Sequence, residues 1–247
     1  MDLSSGIQVL TTSHNCASYL NKCFETVETA LKGFKWMMVF CDDASADETE
    51  EVVNAYKTGT SADKIIYKKF DKAETIGQAK NRTCLISLQN KEEYPVLCFM
   101  DADDEMGEER VSGLLPHLTE EEPLVFGDYI YQDLSNGEDS KKMLMVAERR
   151  YPYLTFGHWA TLIHSNLVPE NGIFFREDIE NYDEMLTWWE LKYSKNIKIK
   201  PVSGVMTNFY RRNRPNSCSW TFRNEKDQEI LTKLREKMNE IYPIGPH

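Results

Sequence analysis

The chain has 247 residues, enough for one full hydrophobic core and short for two. It is 41% apolar and 28% charged, as in a globular domain, and no apolar run approaches the roughly 20 residues needed to cross a bilayer. A net charge of −11 argues against a nucleic-acid partner. The N-terminus has no secretory pattern, and six cysteines with no C-x-x-C pair read as reduced thiols, so the expected compartment is the cytoplasm.

In chain order, Ile7–Thr11 reads as a short strand, and Tyr19 to Leu31 carries Leu20, Phe24, Val27 and Leu31 at helical spacing. Trp36–Cys41 is an apolar run of strand length that stops in Asp42-Asp43-Ala44-Ser45-Ala46-Asp47. Thr49–Tyr56 reads as a helix capped by Asp47, Lys64–Tyr67 as a strand, and Gly77 opens a helix through Leu88. Val96–Met100 is a strand stopped by Asp101-Ala102-Asp103-Asp104, followed by a helix over Glu108–Leu118 and a strand over Leu124–Tyr131. Beyond this the alternation weakens. Ser135–Lys142 is a polar loop, Asp183–Tyr193 a helix with Trp188 and Trp189, and Glu225–Tyr242 a C-terminal helix.

This strand–helix order implies an α/β fold: a mostly parallel sheet flanked by helices, in a single domain. Such sheets bind ligands at the carboxyl ends of their strands. Two strands end there in aspartates, so Asp42/Asp43 and Asp101/Asp103 are expected on one sheet edge. A D-x-D at a strand end turns alternate carboxylates to one side, and oxygen donors suit a hard cation, Mg²⁺ or Mn²⁺. The competing reading is a helix cap at Asp103 or Asp104. Gly77-Gln78-Ala79-Lys80-Asn81-Arg82 brings two cations to the start of a helix, either to a phosphate group or to solvent.

Together these strings resemble the inverting glycosyltransferases of the GT-A fold, the family 2-like group. The family's P-T-Y-N corresponds to Thr12-Ser13-His14-Asn15, and V-D-D-G-S-x-D to Cys41-Asp42-Asp43-Ala44-Ser45-Ala46-Asp47. G-x-x-x-A-R-N or a shorter form corresponds to Gly77-Gln78-Ala79-Lys80-Asn81, and D-x-D-D to Asp101-Ala102-Asp103-Asp104. All four stand in the family's order. Downstream, Gly172-Ile173-Phe174-Phe175 precedes an acidic pair in swapped order, Asp183-Glu184. Tyr210-Arg211-Arg212-Asn213 with Ser217 resembles Y-R-x-H-x-x-S, with Asn213 in place of the histidine.

The resemblance implies transfer of a sugar from a nucleotide-sugar, UDP-sugar ahead of GDP and dTDP, to a glycan or other hydroxyl acceptor. It implies that Thr12, His14 and Asp43 line the base pocket and that Asp101 reaches the ribose. Asp103, with Asp101 beside it, holds Mn²⁺ or Mg²⁺. Lys80, or failing it Arg82, approaches the diphosphate. Glu184, or alternatively Asp183, is the base, with Asp178 and Glu180 nearby. A further metal ligand in place of Asn213 could be His158 or His164. Trp159 either packs on a sugar ring or belongs to the core. The nucleotide half covers about residues 1–105, the acceptor half about 106–223, and residues 224–247 form a C-terminal helix and tail.

Three other readings compete. A sugar nucleotidyltransferase needs a glycine-rich basic loop after the first strand, where Thr11-Thr12-Ser13-His14-Asn15 has neither glycine nor arginine. A D-x-D-x-T phosphatase places its aspartates after the first strand, which is not their position here. A catalytically inactive nucleotide-sugar or glycan-binding domain is compatible with the swapped acidic pair.

Overall fold

The computed structural model describes residues 6–133, 142–150, 154, 156–177, 183–212 and 232. Two compact units partition the chain: Met1–Tyr131 with Lys142–Tyr210, and Gln132–Lys141 with Arg211–His247. The second contains few described residues, and the expected helix over Glu225–Tyr242 lies almost wholly outside them, as do Asn213 and Ser217.

In the first unit the strands are β1 (Ile7–Ser13), β2 (Trp36–Asp43), β3 (Lys64–Phe70), β4 (Val96–Asp101), β5 (Glu105–Met106), β6 (Leu124–Asp133), β7 (Lys142–Met145), β8 (Thr161–His164) and β9 (Ile199–Arg212). The helices are α1 (Ala17–Ala30), α2 (Thr49–Tyr56), α3 (Ile76–Ser87), α4 (Arg110–Leu114), α5 (Ala147–Arg150) and α6 (Asp183–Trp189). The strands form one sheet in the order β3-β2-β1-β4-β8-β6-β9-β5, with β7 on β6. β3, β2, β1 and β4 run parallel. β8 joins β4 and β6 antiparallel. An α/β domain with a mostly parallel sheet and flanking helices is therefore what the chain forms.

The period of two along each strand sorts side chains between the faces. Ile7, Val9, Met38, Phe40, Val96, Cys98 and Met100 pack with Leu20, Cys23, Phe24 and Val27 of α1. The alternate residues turn to the other face, toward α3. There Gln8 donates its amide to the carbonyls of Ser87 at 3.1 Å and Tyr94 at 2.8 Å. This parity carries to the strand ends. Phe40 and Asp42 share the α1 face, whereas Asp43 and Asp101 turn toward α3.

Several expectations shift in detail. The helix over Glu108–Leu118 is only α4 and a 3-10 turn over Leu115–His117. Arg110, which opens α4, is fully buried, donating through Nη2 to the carbonyls of Phe99 and Thr161, both at 2.7 Å. The Asp183–Tyr193 helix is α6 followed by a π-helical turn over Glu190–Ser194. The cap position of α2 is Glu48, not Asp47; Asp47, one residue earlier, accepts from the Thr49 amide at 3.2 Å and hydroxyl at 2.6 Å, and its other oxygen accepts from the Ala17 amide that opens α1. β8 and β9 were not evident as strands. Among the described residues Cys16, Cys23, Cys41, Cys84 and Cys98 form no disulfide. No helix there is long and apolar enough to cross a membrane.

Candidate active site

The parallel register sets Thr12 level with Cys41 on one side and Asp101 on the other. The ends of β1, β2 and β4 therefore meet at one edge of the sheet, as expected for its carboxyl edge. Half-buried Thr12 lies between the two aspartate clusters.

On the β2 side the two aspartates divide their work. Asp42 is wholly buried; Oδ1 accepts from the Ser45 amide at 2.8 Å and Oδ2 from the Tyr67 hydroxyl at 2.8 Å. It shapes the turn. Asp43, on the α3 face, pairs with Arg82 Nη1 at 2.5 Å and accepts from the Glu74 amide at 3.1 Å. Burial pushes the Asp43 carboxyl up, against the pull of that amide and of Arg82. His14 bonds the Asp43 carbonyl through Nδ1 at 2.6 Å. A carbonyl only accepts, so Nδ1 carries the proton and Nε2 accepts from Asn15 Nδ2 at 3.0 Å. The imidazole is exposed and its orientation is fixed.

On the β4 side, Asp101, Asp103 and Asp104 each offer a carboxylate oxygen within 4.8 Å of the others. The helix-cap reading fails for Asp103 and Asp104, because α4 begins only at Arg110 with Glu109 at its cap position, and β5 intervenes. Converging oxygen donors of this kind fit Mg²⁺ or Mn²⁺ and fit a soft metal poorly.

A third group lies on the α3 face. Thr75 caps α3 through a reciprocal capping box with Gln78. One turn on, Lys80 Nζ meets Asp183 Oδ2 at 3.0 Å and Glu184 Oε1 at 2.5 Å. His158 links this pair to β4, with Nδ1 at 2.5 Å from Glu184 Oε1 and Nε2 at 3.0 Å from Asp101 Oδ1. The result is a continuous chain: Asp183, Lys80, Glu184, His158, Asp101. Burial opposes charge on Lys80, yet Asp183 and Glu184 outweigh it and hold the ammonium above its ordinary range. Burial likewise opposes the imidazolium of His158, but Asp101 and Glu184 raise it to about 9. Against burial, Lys80 and His158 keep Glu184 well below the usual carboxylate range, and His158 does the same for Asp101. Asp183 is raised, burial outweighing Lys80.

The structure thus brings Asp101, Asp103, Glu184, Asp183 and Lys80 into one neighbourhood, with Asp43, Arg82, Thr12 and His14 along the same edge. Lys80, which the resemblance directs to a diphosphate, is 4% exposed and engaged with the two candidate bases. Arg82 sides with Asp43. Trp159 is 6% exposed, stacked on Tyr210 at 4.6 Å and edge-on to Tyr129, as a core residue would be. His164 caps a 3-10 turn and stands apart from the carboxylates. Asp178 and Glu180 lie outside the described residues.

Two residues of the site make contacts that the sequence did not foretell. Asn81 is buried and fully satisfied: Nδ2 donates to the Phe175 carbonyl and Glu177, and Oδ1 accepts from the amides of Phe174 and Phe175. It docks the segment before α6 onto α3, and its place at the end of the Gly77–Asn81 string was the available signal. A Cβ at Gly77 would stand 1.9 Å from the Arg176 carbonyl, so the glycine permits the same docking. His158, one of the two histidines offered as a further metal ligand, bonds Glu184 of α6 and Asp101 of β4, contacts that sequence spacing does not register.

The family pattern of Glycosyl transferase family 2 matches residues 8–183, more than half of the chain. The chain belongs to glycosyl transferase family 2. Its GT-A fold is shared with S. aureus TarS 1–349 in complex with UDP-GlcNAc: TM-score 0.67, 15% identity, covering 94% of this chain and 66% of that one. It is shared also with the mannosyltransferase PcManGT from Pyrobaculum calidifontis in complex with GDP-Man and Mn²⁺: TM-score 0.66, 12% identity, 94% and 64% covered. At these identities the likeness is one of fold, and the chain spans just under two thirds of either structure. No curated protein matches the sequence.

Proposed function

We propose that this chain transfers a sugar from a metal-bound nucleotide-sugar, a UDP-sugar first among candidates, to a hydroxyl of a glycan or similar acceptor, with inversion. One observation carries the reading: the carboxylates of Asp43, of the Asp101/Asp103 pair and of Glu184 gather at one sheet edge. The two fold relatives, solved with UDP-GlcNAc and with GDP-Man and Mn²⁺, support a nucleotide-sugar donor. In this reading about residues 1–105 hold the nucleotide, about residues 106–223 the acceptor, and residues 224–247 are a C-terminal helix and tail.

Each step falls to a named group. Asp43 accepts from a base N–H while Thr12 and His14 border the base. Asp101 takes the ribose, and Asp103 with Asp101 holds Mn²⁺ or Mg²⁺. When bound, that ion neutralises the charge that builds on the departing diphosphate. Glu184 removes the acceptor proton as the acceptor oxygen bonds to the anomeric carbon and the bond from that carbon to the diphosphate breaks. Glu184 suits this better than Asp183, since its side chain is 20% exposed against 4%. Lys80 and His158 hold the carboxylate ionised and aimed. Lys80, with Arg82 in reserve, is within reach of the diphosphate side only through a change of partner.

The test is release of nucleoside diphosphate from a panel of UDP-, GDP- and dTDP-sugars with and without Mn²⁺. The unsubstituted chain should release UDP in a Mn²⁺-dependent way, and Glu184→Gln should lower kcat by about 10²- to 10⁴-fold. Nucleotide binding with no release from any sugar would instead support an inactive binding domain.

A further inference from the structure

The turn Asp101–Asp104 is stapled to a strand that none of the four motifs includes. β5 pairs antiparallel with β9, setting Glu105 opposite Phe209 and Met106 opposite Asn208. The Gly107 amide donates to the Thr207 carbonyl at 2.9 Å. A Cβ at Gly107 would stand 2.1 Å from the Met206 carbonyl, so only glycine lets the chain lie this close to β9. The consequence is that Asn208, 0% exposed, delivers its side-chain amide to the aspartate cluster: Nδ2 donates to Asp104 Oδ2 at 3.0 Å.

Asp104 is itself 2% exposed, and the Asn208 Oδ1 is a buried oxygen with no hydrogen-bond partner among the described residues. A buried amide in this position is held for its bond to Asp104, since its oxygen gains no partner among those residues. The amide orientation follows from chemistry, because the reverse would set two oxygens face to face.

We infer that Asp104 is a third carboxylate of the cation site and that Asn208 is the residue that positions it. This deepens the metal-bound nucleotide reading and rests on it. The expected donor set is then Asp101, Asp103 and Asp104, oxygen throughout, with β9 fixing the orientation of the buried member. Partners that orient a ligating carboxylate typically change metal affinity by about 10- to 100-fold when removed. A role in folding alone would instead lower stability and leave affinity unchanged.

Mn²⁺ titrations followed by electron paramagnetic resonance, alone and with saturating UDP, separate these outcomes. Asn208→Ala and Asp104→Asn should each weaken Mn²⁺ binding by about tenfold or more. In the Asp104→Asn background, Asn208→Ala should weaken it no further, since Asn208 acts through Asp104. Excess Mn²⁺ should restore kcat in Asn208→Ala. If Asn208→Ala does not fold, Asp104→Asn alone decides. Mn²⁺ affinity unchanged in Asp104→Asn overturns the inference while leaving Asp101 and Asp103 in place. Failure of the unsubstituted chain to bind Mn²⁺ overturns the metal reading itself, and this inference with it.

Discussion

Lys80 is buried between two acidic side chains, and neither tolerates its loss well. In Lys80→Met, Asp183 and Glu184 keep their burial but lose their shared counter-charge. Breaking a buried pair in this way costs about 3–5 kcal/mol, which urea denaturation would register as a lower midpoint. A loss under about 1 kcal/mol would mean that water already screens the pair. The sequence announced a cation here but not its partner. Glycine spacing placed Lys80 on a helix, whereas the contact with Asp183 spans 103 residues and depends on how α6 packs. The partners of His158 were equally hidden, because the two carboxylates come from separate elements.

At the level of elements, strand parity decides which aspartate of each cluster faces α3. That much was legible, since the alternation of side chains along an extended strand and a terminal D-x-D are local features. β8 and β9 were not, because their reason for pairing lies in neighbours distant in sequence. β9 also carries Pro201 and Gly204, which weaken a strand pattern read alone. The α1–α2 layer offers a test of pH dependence. Glu28 on α1 accepts from the Tyr56 and Thr60 hydroxyls, at 2.6 and 2.5 Å, and from Ser61. Burial raises its carboxyl, but hydrogen bonds from Ser61, Thr60 and Tyr56 outweigh it and the net shift is downward from 4.5. The folded state then binds the proton less readily than the unfolded chain. The stabilisation is full above about pH 4.5 and is lost as pH falls through the folded value. Glu28→Gln should therefore lower Tm near neutrality and flatten its decline between about pH 5 and pH 3. A substituted chain with an unchanged acid slope would contradict this.

Across the whole molecule, the sheet order explains why motifs separated by many residues act as one site. β1 lies between β2 and β4, so the turns that follow them are neighbours. The account depends on these turns gripping a nucleotide through a cation. The most direct measurement is isothermal titration of UDP into the unsubstituted chain and into Asp103→Ala, each with Mn²⁺ and with EDTA. The account predicts binding that requires Mn²⁺ in the unsubstituted chain and falls at least tenfold in Asp103→Ala. Equal UDP affinity in all four titrations would contradict it.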